Sequence, residues 1–216
     1  MRLLVFDLDG TLIDSRRDLA DAANALVVKH GGSPLPIDAI ADMVGNGAAM
    51  LVRRALAAAG VEDDPRRLLP EFLALYDERL LQTTRLYDGF PEALEMLSGN
   101  ATLAMLTNKP LGATERILKG LGIAPLFRAV LGGDGPLPRK PDAAGLRHLM
   151  AEASAEADRT VMIGDSRVDL ATARAAGTRV CLARYGFGFR ISDGDLRGDE
   201  LFADSPADLP RVLGQV

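Results

Sequence analysis

The chain has 216 residues, with 25 Lys plus Arg against 30 Asp plus Glu and a formal net charge of −5. That length allows one sizeable core with a smaller appended unit, and the acidic balance gives no electrostatic footprint for nucleic acid or an anionic membrane, so a small diffusible partner fits better. A single cysteine, Cys181, excludes an internal disulfide, and no stretch is long and apolar enough to cross a bilayer, which reads as a soluble, cytoplasmic protein, monomer or homodimer.

The first predicted element is a buried strand, Leu3-Leu4-Val5-Phe6, running into Asp7-Leu8-Asp9-Gly10-Thr11. The two acids interrupt the apolar run before it could serve as a signal segment. Successive side chains of a strand face opposite ways, but where the strand frays into a loop an i, i+2 pair can converge on one ligand. Gly10 lets the chain turn and brings backbone N–H groups toward an anion, so the loop suits a phosphate and a cation together. Taken alone, the segment reads equally well as an Asp-rich turn after an edge strand.

From Asp14 to about Arg85 the chain is rich in Ala, Leu and charge, with helical periodicity. Asp14 or Ser15 caps a helix through about Val28 whose apolar stripe is Leu19, Ala23, Leu26 and Val27, and Gly31-Gly32 stops it. Further helices are expected from Ile37, over 46–59 and over 65–81, with Pro65 in a first turn and Gly60 at the preceding helix end. From Tyr87 short apolar runs alternate with amphipathic segments: helix 91–97, strand 101–106, helix 113–121, strand 129–131, helix 142–153, strand 160–163, helix 168–176 and strand 179–182. The tail after Arg190 carries loop signals and a short closing helix near 209–213, assigned to packing. The expectation is an α/β fold, a Rossmann-like parallel sheet core flanked by helices, with an inserted α-helical cap domain after the first strand. The core is discontinuous, 1–14 and 86–216, because a lone first strand is not stable by itself, and the cap covers 15–85.

Three polar positions follow apolar, β-branched or Gly-marked segments, in places where a parallel sheet would offer its carboxyl edge. They are Thr107 in Thr107-Asn108-Lys109-Pro110, Lys140 in Arg139-Lys140-Pro141-Asp142, and Asp165 in Gly164-Asp165-Ser166-Arg167-Val168-Asp169. With Asp7 to Thr11 they stand in the order of four motifs: an Asp-x-Asp-Gly-Thr, a Ser or Thr, a Lys, and a Gly-Asp pair followed by a further acid. The set resembles the haloacid dehalogenase-like (HAD) hydrolase superfamily. Within it, Val44-Gly45-Asn46-Gly47-Ala48, Thr107 to Pro110, Gly132-Gly133-Asp134 and Gly164 to Arg167 look closest to the bacterial phosphoglycolate phosphatases, over the chain to about Phe189.

That resemblance implies Mg²⁺-dependent hydrolysis of a small phosphorylated metabolite, with 2-phosphoglycolate the first substrate to try. It assigns Asp7 as the nucleophile that becomes an aspartyl-phosphate, and Asp9 as general acid and then base. Asp9 must arrive protonated, and like-charge repulsion from Asp7, Asp165 and Asp169 is expected to favour that form. Asp7, the backbone carbonyl of Asp9, and Asp165 would hold the Mg²⁺, with Asp169 joined through a water or orienting Lys140. Lys140 would hold Asp7 and offset charge on the transferring group, while Gly10, Thr11, Thr107 and Asn108 face the phosphate. Lys109 is expected at the substrate or in a structural salt bridge. Gly45, Asn46 and Gly47 would point N–H groups from a helix N-terminus toward the substrate carboxylate, with Arg54 a second candidate for that group. Tyr185-Gly186-Phe187-Gly188 either borders the cap or packs. The alternatives are a phosphatase of another small metabolite or sugar phosphate, a β-phosphoglucomutase-like phosphomutase, and a non-catalytic phospho-ligand sensor. A dehalogenase is disfavoured, since it would lack the second acid of the first motif.

Overall fold

Runs of consecutive apolar residues form strands buried on both faces, which is what a parallel sheet covered by helices requires. The computed structural model describes residues 1–214. In chain order its elements are β1 (Leu3–Phe6), β2 (Ile13–Asp14), α1 (Arg16–Lys29), α2 (Ile37–Ala41), α3 (Ala48–Ala58), α4 (Pro65–Asp77), β3 (Arg85–Leu86), α5 (Phe90–Ser98), β4 (Thr102–Leu106) and α6 (Leu111–Gly120). The remainder are β5 (Phe127–Leu131), α7 (Ala144–Glu152), β6 (Thr160–Gly164), α8 (Arg167–Ala176), β7 (Arg179–Ala183), β8 (Leu201–Ala203) and α9 (Leu209–Leu213).

The main sheet is parallel throughout, in the order β5-β4-β1-β6-β7-β8. Strand β1 lies inside it, with Phe6 in register with Met105 of β4 and Ile163 of β6. Its alternating side chains feed two cores: Leu4 and Phe6 join Phe90, Leu94, Ile117 and Leu209 on one face, and Leu3 and Val5 join Leu146, Leu149, Leu170 and Ala173 on the other. Each such side chain, fully buried, stabilises the fold by roughly 1.5–3 kcal/mol. Because β1, β4 and β6 end level, the residues that follow them emerge at one edge.

Helices α1 to α4 pack on one another around a third cluster that includes Leu19, Leu26, Leu51, Leu56, Leu68, Phe72 and Tyr76. The stripe read from the sequence, Leu19, Ala23, Leu26 and Val27, is buried there. Of the two residues expected to cap α1, Asp14 takes the role. Asp14 accepts the Arg16 N–H at 3.2 Å, whereas Ser15 turns its hydroxyl to Asp9. Helix α4 ends at Asp77 rather than residue 81, because the chain must turn back for Thr83 and Thr84 to reach α1.

Two pairings were not expected from sequence. Strand β8, in the tail assigned only packing, adds a sixth strand beside β7. Strands β2 and β3 form a two-residue antiparallel ribbon, Ile13 opposite Leu86 and Asp14 opposite Arg85. Elements this short carry too few residues to display a period.

Asp18, fully buried in α1, accepts hydrogen bonds from the amides and hydroxyls of both Thr83 and Thr84, at 2.6–3.1 Å. Burial pushes its carboxyl up, but those hydrogen bonds overrule it and hold the group below the usual carboxylate range. A carboxylate whose pKa is lower in the folded chain stabilises the fold above its unfolded value, about 4, and loses that contribution as pH falls through the folded value. Asp18→Ala strands the threonine donors and is expected to cost about 3 kcal/mol. A thermal melt at pH 7 should show a Tm lower by roughly 6–12 °C. The gap should narrow toward pH 3.

Candidate active site

Beyond Phe6 the chain leaves the sheet through a tight loop in which the amides of Thr11, Leu12 and Ile13 all turn back to the Leu8 carbonyl. Gly10 sits at φ +85°, and a Cβ there would stand 2.0 Å from Asp165 Oδ2, so only glycine fits. The loop thereby places Asp7 and Asp165, at the ends of β1 and β6, side by side.

Oxygens of Asp7, Asp165 and Asp169 lie within 4.8 Å of one another, and all three residues are buried. One cation stands among them: Lys140 Nζ is 2.9 Å from Asp7 Oδ1 and 2.6 Å from Asp169 Oδ1. The other Asp169 oxygen accepts the Ser166 amide and hydroxyl in a capping box at the start of α8, so Asp169 orients Lys140 and caps a helix at once. Asp165 accepts from the Gly188 amide at 2.7 Å and the Thr11 hydroxyl at 3.4 Å.

Burial pushes the Asp7 carboxyl up to about 7, with Lys140 opposing and Asp169 adding to the rise. Burial likewise raises Asp165 well above the carboxylate range, reinforced by Asp169 and Asp7. Burial alone would lower the Lys140 ammonium, but Asp169 and Asp7 raise it. Three buried carboxylates against one ammonium leave uncompensated negative charge with an all-oxygen donor set. A hard divalent cation fits such a donor set.

Asp9 faces a chamber between the sheet edge and α1, α3 and α4 that Asp7 also lines. Its carboxylate takes both contacts of Lys109 Nζ, at 2.9 and 3.0 Å, and the Ser15 hydroxyl at 2.5 Å. The like-charge crowding expected around Asp9 therefore falls on Asp7 and Asp165, and Lys109 forms the salt-bridge alternative of its two readings. Thr107, Gly45 and Gly47 line the chamber with Asp7 and Asp9. Asn108 also lines it, but its amide nitrogen, expected at the phosphate, is spent on the carbonyls of Gly45 and Lys140 at 2.9 and 3.0 Å. It ties two loops together instead. Asn46 and Arg54 are not among the lining residues, and the Arg54 guanidinium donates to the Met43 carbonyl at 2.9 Å, bracing the loop before α3.

Ser15, Tyr76 and Gly188 belong to the site and carried no motif signal. For Gly188 the Gly-Phe-Gly run after β7 was the hint: a Cβ at Gly186 would stand 2.2 Å from the Asp165 Cβ, and the turn delivers the Gly188 amide to that carboxylate.

The family profile described as haloacid dehalogenase-like hydrolase matches residues 4–183. Among curated relatives, a phosphoglycolate phosphatase of Rhodospirillum rubrum is 41% identical over 194 residues, covering 86% of this chain and 80% of that protein. Another, from Pseudomonas fluorescens, is 40% identical over 191 residues, covering 86% and 70%. A crystal structure of a "predicted phosphoglycolate phosphatase" from Haemophilus somnus superposes with a TM-score of 0.91 at 31% identity, covering 99% of this chain and 98% of that one. With the carboxyl-edge acids and their lysine set on the same parallel sheet, the chain belongs to the haloacid dehalogenase-like hydrolases.

Proposed function

We propose that this phosphatase hydrolyses a small phosphomonoester, 2-phosphoglycolate, to glycolate and inorganic phosphate through an aspartyl-phosphate on Asp7. The observation that carries the reading is Asp7 itself, buried at the sheet edge, held by Lys140 and opening onto a chamber that it shares with Asp9. An Asp7 oxygen attacks phosphorus, the P–O bond to the glycolate oxygen breaks, and Asp9 gives that oxygen its proton. Water then attacks the phosphorus of the acyl phosphate, passes a proton to Asp9, and Asp7 is regenerated. A Mg²⁺ held by Asp7, the Asp9 carbonyl and Asp165 would neutralise charge on the phosphoryl oxygens. Lys140 supplies the second positive charge at that point, and Lys109 with Ser15 fixes the direction of the Asp9 carboxylate.

Residues 15–85 are proposed as a lid that closes the chamber against water, with the backbone of Gly45 and Gly47 lining it ahead of α3. The test is phosphate release across a panel of phosphomonoesters with Mg²⁺. The highest kcat/KM should fall on 2-phosphoglycolate, a chelator should remove at least about 100-fold of the activity, and added Mg²⁺ should restore it. Equal rates on hexose phosphates, or phosphoryl transfer to a sugar in place of hydrolysis, would defeat this reading.

A further inference from the structure

The chamber beside Asp9 is walled on its helical side largely by Leu19, Leu51, Phe72 and Leu73, whose side chains offer a substrate no polar group. One side chain from that side is different. Tyr76 of α4 lines the chamber, is 3% exposed, and its hydroxyl has no hydrogen-bond partner among the described residues. Packing accounts for the ring only: it stacks on Phe72 with centroids 6.1 Å apart and planes within 1°. Lys109 Nζ stands over the same ring, 4.5 Å from its centroid, a contact that phenylalanine would also supply. The O–H therefore stands as a buried donor without an acceptor, a cost of about 1–3 kcal/mol.

The Lys109 ammonium, which donates to both Asp9 oxygens, also stands beside this phenol and, being a donor only, offers the Tyr76 O–H no acceptor. Two side-chain donors, one from the helical unit and one from the sheet edge, thus border the apolar part of the pocket. We propose that Tyr76 is a specificity-determining residue, its hydroxyl donating, beside the Lys109 ammonium, to a carboxylate on the leaving-group side of the substrate. This deepens the reading above and rests on it. Burial pushes the phenol up to about 12, which keeps it a donor at neutral pH. The same apolar walls work against polyhydroxylated leaving groups, because each sugar hydroxyl entering the chamber would lose its water without gaining a partner.

The test compares 2-phosphoglycolate with 2-hydroxyethyl phosphate, which has the same two-carbon leaving group without the carboxylate. Wild type should prefer 2-phosphoglycolate. Tyr76→Phe keeps the ring on Phe72 and under Lys109, and a thermal melt checks that it folds as wild type does. That preference should shrink by about tenfold or more, chiefly through KM for 2-phosphoglycolate. An unchanged preference, or equal losses on both esters, would overturn the Tyr76 assignment while leaving 2-phosphoglycolate as substrate. A wild type that does not distinguish the two esters would overturn the substrate reading as well.

Discussion

Asp7→Asn is expected to lower kcat for phosphate release from p-nitrophenyl phosphate and from 2-phosphoglycolate by at least about 10⁴-fold, the scale seen when a hydrolase loses its nucleophile. That corresponds to roughly 5.5 kcal/mol of barrier. The substitution is nearly isosteric, so Leu8 still finds an acceptor at its amide, and the buried site keeps its shape. What changes is that the amide oxygen is a poor nucleophile and that one of the three carboxylates around Lys140 is lost. Burial already works against ionisation of Asp7, so the neutral variant should fold at least as well as wild type. Unchanged circular dichroism with activity gone would separate chemistry from folding, whereas residual activity within tenfold of wild type would place the nucleophile elsewhere.

Asp9→Asn is expected to slow turnover by roughly 10²- to 10⁴-fold, the usual contribution of a positioned acid–base group. With p-nitrophenyl phosphate, whose leaving group needs no proton, Asp7 should still accept the phosphoryl group, so acid-quenched enzyme should retain label that wild type releases. The geometry adds a complication. Asp9 is the ion-pair partner of the buried Lys109, and removing one member of such a pair costs about 3–5 kcal/mol. The single variant should therefore melt lower than wild type. Asp9→Asn combined with Lys109→Met removes both charges and should recover most of the Tm without recovering turnover. Return of turnover with the Tm would show that the first defect was structural and would remove the acid–base role.

The parallel sheet was legible because its strands are continuous apolar runs, and legible strand ends made Asp7, Thr107 and Asp165 stand out as residues of one edge, whereas Lys140, in the loop after β5, was placed there by motif order alone. Helix ends shifted by a few positions wherever a tertiary contact took over, as after α4, where Thr83 turns back to Asp18, sixty-five residues before it. The side of the site facing α1 to α4 was much less legible. Ser15 looked like a helix cap because its spacing fits one, but Asp9 offers it a charged acceptor, which is the stronger bond. Lys109 reaches Asp9 across a hundred residues, and Tyr76 meets Lys109 only once α4 lies over the sheet edge. No local pattern encodes either contact. The negative crowding that the motifs foretold is present, but which carboxylate bears it depends on where the two lysines land.

The ribbon of β2 with β3 bears on how such a chain can change over generations. Where the helical segment departs and where it returns, the backbone stands as a matched pair, Ile13 across from Leu86 and Asp14 across from Arg85. Opposed residues in such a pair are only about 5 Å apart, a gap that a two-residue turn closes. The helical segment can accordingly be lost, lengthened or traded in a single genetic event with no strand of the large sheet displaced. Ser15 and Tyr76 would leave with it, while Asp7, Asp9, Lys109, Lys140 and Asp165 would stay behind. On the reading proposed above, most of the reacting groups and the Tyr76 selectivity contact thus lie on different stretches of the chain, joined across the ribbon by the Ser15 hydrogen bond to Asp9.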